Sequence, residues 1–228
     1  MAFFFAVVIA LRLAQSLPGV GGLFHGFLGF WLVAIAMAWA LSRLSSRWEA
    51  RRKLASALTS LGYVDSAHNR GKRGVLLLAA GRTAEAAVDL EAALAGEPDS
   101  AEWGYRLGLA RLALGRPREA IEALSAAEAS APSHGYGGIQ LALARAELAR
   151  GEPRRALEAL QRHDQLHGDD PQAAYLRGKA LARKGDGEAA RRSFAEVEQL
   201  YKSAPAFRRR LASSWLWRAR LARVGVVL

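Results

Sequence analysis

The chain has 228 residues, 51% of them hydrophobic and 8% aromatic, and it has no cysteine. Disulfides and Cys-type zinc or iron–sulfur sites are thereby excluded, and the abundance of Ala, Leu, Arg and Glu points to an all-α protein. The net charge of +11 is spread unevenly: +1 over residues 1–42, +3 over 43–66, +1 over 67–204 and +6 over 205–228. Duplex-binding domains spread Lys and Arg over one face of the fold. Here the excess sits in two flanking segments, which suits an anionic membrane surface and not nucleic acid.

The first element, "MAFFFAVVIALRLAQSLP", is apolar as far as Leu11 and then shows Arg12, Gln15 and Ser16. Pro18-Gly19 and Gly21-Gly22 break the chain after it. Two readings stand open: the first arm of a helical hairpin with Arg12 reaching the far headgroups, or a helix lying in the interface. Gly22, Gly26 and Gly29 offer a small-residue face for close packing of such an arm. The second element, Leu23 to Leu41, is 19 residues without a formal charge. It is expected to cross a hydrocarbon core of about 30 Å, nearly filled at about 1.5 Å per residue. Leu23, Trp31, Trp39, Arg43 and Arg47 are the expected anchor residues, with Trp39 and Trp48 near one headgroup layer. Residues 1–42 thus read as a membrane anchor.

A basic helix is expected over 43–66. Leu44, Trp48, Ala55, Leu58 and Leu61 recur at helical spacing among Arg47, Arg52 and Lys53. Lys and Arg follow the apolar stretch and none precedes Arg12, so the positive-inside rule puts the C-terminal bulk in the cytoplasm.

Residues 67–204 repeat. "GRTAEAAVDLEAAL" begins at Gly81, and near-copies begin at Gly115, Gly151 and Gly185, spaced 34, 36 and 34 residues apart. Ala86, Ala120, Ala156 and Ala190 follow at five residues, and Leu90, Leu124, Leu160 and Phe194 at nine. Gly74, Gly108, Ala144 and Gly178 precede each glycine by seven. Such a period marks stacked helical hairpins. Each glycine ends a first helix, Pro117 and Pro153 start a second one, and Thr83 is the expected cap of its equivalent. Ala120, Leu124 and Ala127 form the buried stripe of that second helix. One hairpin cannot bury its apolar face alone, whereas a stack can.

On these residues the chain resembles the tetratricopeptide repeat (TPR) family, with repeats over about 67–100, 101–134, 135–170 and 171–204. Pro98 and Pro132 match that family's closing proline. The early helix-A tryptophan is one place off, at Trp103, and its helix-A tyrosine is replaced by Leu77, Arg111, Glu147 and Leu181. The two-residue insertion falls in "SHGYGG" (133–138). The resemblance implies an α-solenoid that binds a protein segment in a groove lined by the first helices. Tyr105, Leu109, Leu112, Arg145, Tyr175, Lys179 and Arg183 would line it, and their bases suit an acidic or C-terminal carboxylate segment. The family's carboxylate clamp is not matched, because Gly71 and Val75 stand at its lysine and asparagine positions.

No catalytic set is found. His163 and His167, spaced i, i+4 near Asp164, Asp169 and Asp170, run from a helix end into a loop with no third ligand. They read as a solvated turn and not a metal site. "GYGG" at 135–138 lacks the strand and the Lys-Ser/Thr of a phosphate loop. No cofactor, metal or small-molecule substrate is expected. The tail, 205–228, reads either as a basic amphipathic cap with Phe207, Leu211, Trp215, Ala219, Ala222 and Val226 on one side, or as an interfacial helix on lipid. The whole reads as a non-enzymatic, membrane-anchored scaffold or assembly factor with protein and lipid partners. Its expected place is a bacterial-type inner membrane. The alternative is a structural subunit of a multi-subunit membrane complex that makes its main contact through the transmembrane segment.

Overall fold

Alanine- and leucine-rich stretches punctuated by glycine and proline form short helices. The computed structural model, which describes residues 27–225, shows ten helices and no strand among those residues. The chain divides into two compact units, residues 1–60 and 61–228.

The first unit contributes α1 (Phe27–Gly62), into which the apolar stretch and the basic segment run without a break. Trp31, Ile35, Trp39, Leu44 and Trp48 are each at least half exposed, so this is not a buried core helix. The Arg43 guanidinium lies 4.6 Å from the ring centroid of Trp39, and that of Arg52 lies 4.4 Å from Trp48. The expected hairpin arm over residues 1–22 lies outside the described residues, as do Leu23 and the side chain of Arg47. The expected span is not found: among the described residues no helix is long and apolar enough to cross a membrane. Residues 23–26 of the expected span lie outside the described residues, and beyond Leu41 the helix continues into Arg43, Arg47, Arg51 and Arg52.

The second unit is an α-solenoid. Its helices are α2 (Ala67–Ala79), α3 (Thr83–Gly96), α4 (Ala101–Ala113), α5 (Pro117–Ser130), α6 (Gly138–Arg150), α7 (Pro153–His167), α8 (Pro171–Lys184), α9 (Gly187–Ser203) and α10 (Ala206–Arg223). Each even-numbered helix from α2 to α8 packs on the one after it. Each odd-numbered helix from α3 to α9 packs on the next even one. The first helices of successive hairpins also touch one another, α2 to α4, α4 to α6 and α6 to α8, and α10 packs on α9 and α8.

Short polar residues start several helices. Ser66 accepts from the Asn69 N–H at 3.2 Å, Asp170 from Gln172 at 2.7 Å, and Asp186 from Ala189 at 3.0 Å. Thr83 does not take this role. It is the first residue of α3, too late for its hydroxyl to reach the free N–H groups, and the hydroxyl turns back to the Gly81 carbonyl at 3.4 Å. The repeat glycines Gly81, Gly115, Gly151 and Gly185 all have φ between +72° and +92°, the left-handed turn that ends a first helix.

The pairing of small and large residues sets the helix spacing. A Cβ added at Gly108 would stand 2.4 Å from Leu124, and one at Gly178 would stand 2.4 Å from Phe194. Leu90, Leu124, Leu160 and Phe194 are therefore nearly or wholly buried, as are Ala86, Ala120, Ala156 and Ala190. The insertion in "SHGYGG" is absorbed by three consecutive left-handed residues, Gly135, Tyr136 and Gly137. Gly137 also lies where a Cβ would meet His163 at 2.6 Å and His167 at 2.9 Å.

Helix α10 corrects the expected stripe. Its buried side is Ala212, Leu216, Ala219 and Ala222, with Trp215 beside them, whereas Phe207 and Leu211 are 70% and 76% exposed. The helix is turned so that its small residues meet α8 and α9. Val226 lies outside the described residues.

Candidate partner-binding face

The first helices α4, α6 and α8 bring most of the expected groove residues to one face of the solenoid. Leu109 and Leu112 of α4 are half-buried and pack against the core. Tyr105 lies one turn earlier, its ring 6.4 Å from that of His134 and 5.4 Å from the Arg106 guanidinium. Burial raises its phenolic pKa. Arg106 opposes this, Glu102 adds to it, and Arg145 of α6 again opposes it. Arg145 itself is exposed and forms no ion pair among the described residues.

On α8 the arrangement differs from the expected groove. Tyr175 is 6% exposed, its ring 5.8 Å from Phe194 of α9 and 5.5 Å from Trp215 of α10. The tail helix covers it, so the tyrosine belongs to the packing and not to an open wall. Lys179 is half-buried, and its ammonium pKa is lowered, first by desolvation and then by Arg183 and Arg218. Arg183 donates through Nη1 to the Leu148 carbonyl at the end of α6, tying two first helices together. Arg218 of α10 stands over the Trp215 ring at 4.7 Å and acts electrostatically on both Tyr175 and Lys179. It is a member of this basic group that sequence spacing missed, because α10 reaches α8 only through the tertiary fold.

Most arginines elsewhere in the array are matched. Arg73 is held by both carboxylate oxygens of Asp89. Arg162 meets Glu128 at 3.1 Å, and Arg177 meets both Asp164 and Glu196. Arg145, Lys179, Arg183 and Arg218 have no carboxylate partner among the described residues. That leaves an unneutralised basic group, of which Arg145 acts on Tyr105 of α4.

A Cβ at Gly71 would lie 2.5 Å from the Trp103 indole, so the aromatic ring fills the space that a clamp side chain would need. The two histidines do not form a wholly solvated turn. His163 is 2% exposed, its Nδ1 3.3 Å from Asp164 Oδ1, and its ring lies 5.6 Å from that of His167. They border an open cleft of about 650 Å³ with Tyr136, Leu200 and Trp215. Among the described residues no group of three His, Cys, Asp or Glu could hold a metal. Two departures from the repeat pattern carry electrostatic consequences. Arg111 reaches Glu91 at 3.1 Å and the Glu119 carbonyl at 3.1 Å. Glu147 is 7% exposed, its Oε2 lacks a hydrogen bond, and burial raises its carboxyl pKa.

Family models for the tetratricopeptide repeat match residues 77–136 and 141–205. Residues 77–205 belong to the tetratricopeptide repeat family. Solved TPR-like structures superpose on the chain. MamA 41-end from Desulfovibrio magneticus RS-1 does so with a TM-score of 0.63 at 22% identity, over 72% of this chain and 95% of that chain. A crystal structure of MamA protein gives 0.62 at 21% identity, over 71% and 92%. MamA MSR-1 C2 gives 0.60 at 18% identity, over 71% and 96%. At such identities the likeness shows the solenoid fold. No curated protein matches the chain.

Proposed function

We propose that the chain is a non-enzymatic scaffold or assembly factor whose first-helix face seats an acidic segment of a partner protein. The observation that carries this is the basic group Arg145, Lys179, Arg183 and Arg218, left without carboxylates where most other arginines of the array have them. Burial is the main cause of the lowered Lys179 pKa, and Arg183 and Arg218 add to it. Carboxylates of a bound segment would neutralise this basic group through charge-assisted hydrogen bonds. Tyr105, Leu109 and Leu112 supply the apolar contact that fixes register. Repeat arrays present extended surfaces of this kind.

The test is a peptide-display selection on the immobilised full-length chain. Acidic peptides are expected to enrich, and Arg145→Glu with Lys179→Glu is expected to lower that enrichment about tenfold or more, since like-charge juxtaposition costs several kcal/mol. Equal enrichment on the double variant would overturn the reading.

The same proposal sets the scaffold at a bacterial-type inner membrane with the repeats in the cytoplasm. It rests on the 19 uncharged residues of Leu23–Leu41, on the exposed tryptophans of α1 and on the Lys/Arg cluster that follows. A compartment-sensitive reporter fused after Leu228 is expected to read cytoplasmic, and an external signal would reject this orientation.

A further inference from the structure

Helix α10 has two different sides. The inward side is small and buried, as a cap requires. The outward side carries Phe207, Leu211, Trp217, Leu221 and Val224, which are 70%, 76%, 62%, 45% and 78% exposed. At 100° per residue these five fall on one continuous arc, and they extend over nearly five turns, about 26 Å of helix. Arg210 and Arg218 lie within that arc and Arg209 stands about 60° outside one edge, whereas Arg208 falls on the side of the buried stripe and borders the cleft beside Trp215. Neither Arg209 nor Arg210 forms an ion pair among the described residues. Residues 205–228 contain six arginines and no acid. Such a face gains nothing from water, which leaves its apolar atoms hydrated, and no carboxylate of the described residues pairs with Arg209 or Arg210.

We propose that the outward side of α10 docks on an anionic lipid bilayer surface, with Trp217, Leu221 and Val224 at the acyl boundary and Arg209 and Arg210 at the headgroup phosphates. The charge complement is a dense negative layer. The apolar complement is a soft one that needs no matching groove, because the exposed side chains stand in a line along a convex helix. A bilayer interface supplies both at once. An acidic protein groove or a nucleic acid would satisfy the arginines and leave the apolar arc unexplained. The inference names none of the first-helix residues; Arg218, which acts on Lys179, also falls within the arc and is left unchanged in the test.

The lack of native cysteine allows a direct test in the full-length chain. Leu221→Cys carries an environment-sensitive fluorophore, and Glu122→Cys, exposed on α5, carries the same label as a reference. Vesicles of neutral phosphatidylcholine and of phosphatidylcholine with phosphatidylglycerol are compared at low salt. The label at position 221 is expected to shift to the blue and gain intensity on anionic vesicles only, while position 122 stays unchanged. Adding Arg209→Gln and Arg210→Gln is expected to raise the lipid concentration at half-response about tenfold or more. Because the label reads the α10 face itself, vesicle binding by the N-terminal unit does not mimic the signal. Three results would overturn the proposal: no shift at 221 on anionic vesicles, an equal shift on neutral ones, or a half-response unmoved by the arginine variant. In a parallel titration, a shift induced by polyglutamate or duplex DNA but not by anionic vesicles would assign the face to an acidic macromolecule instead.

Discussion

Helices α5 and α10 are both rich in alanine and arginine-flanked, yet they use those residues in different ways. In α5, Ala120, Ala123, Leu124 and Ala127 are sealed between neighbours, and Glu128 at its end is matched by Arg162 from the next hairpin. In α10, an equally small buried stripe closes the array, but the opposite side leaves large apolar residues and unpaired arginines in the open. The difference teaches where stability and recognition separate in a solenoid. Interior hairpins have neighbours on two sides and bury their apolar stripe fully. The last helix packs on α8 and α9 along one side only, so its other side is free to serve a surface. Nearest-neighbour stacking makes this division general for repeat arrays.

Substitutions can break or sharpen this contrast. The largest effect is expected from Leu124→Ala, which empties a wholly buried site against Gly108. It should cost about 2–5 kcal/mol in chemical denaturation, whereas Leu221→Ala on α10 should cost less than about 0.5 kcal/mol. Equal losses would erase the distinction. Gly108→Val comes next. Its side chain would drive into Leu124, and about 1–3 kcal/mol is expected from overpacking, read as a lower urea midpoint.

Glu147 sharpens the comparison with the opposite sign. Its folded pKa is raised, so the native state holds the proton more tightly than the unfolded chain does. Its contribution is therefore harmless below the unfolded value near about pH 4.3 and increasingly unfavourable as pH rises through the folded value. Glu147→Leu is expected to stabilise the neutral-pH protein by about 1 kcal/mol, a rise of about 2–4 °C in Tm. The variant should also lose the part of the decline in stability that sets in above about pH 4.3. A Tm that falls, or a pH profile that is unchanged, would show that Arg150, whose Nη1 stands 3.7 Å from Glu147 Oε2, offsets the burial. The smallest effect is expected from Arg209→Gln with Arg210→Gln. Without ion partners in the fold, they should move the urea midpoint within about 0.5 kcal/mol while weakening anionic-vesicle response.

Much of the fold was legible because the repeat writes its physics locally. The spacing of Gly81, Gly115, Gly151 and Gly185 encodes helix ends, and the small residues seven places earlier encode close packing against Leu90, Leu124, Leu160 and Phe194. The candidate face was legible only in part. Arg145 and Lys179 could be placed from the repeat register alone. Tyr175 could not, because its burial depends on where Trp215 of α10 arrives, and neither could the approach of Arg218 to Lys179. His163 looked like part of a polar turn, yet Gly137 lets the chain of the preceding loop close over it.

By itself, the sequence determined the period, the helix ends, the buried alanine–leucine stripes and the basic excess of the tail, since each depends on residues within a turn or two. Only the tertiary structure decided the rotation of α10, the burial of Tyr175 and which arginines remained unpaired. Those outcomes depend on which side of a helix meets residues 30 or more positions away, as when Trp215 closes over Tyr175. Composition leaves that choice open, and packing against a specific neighbour makes it.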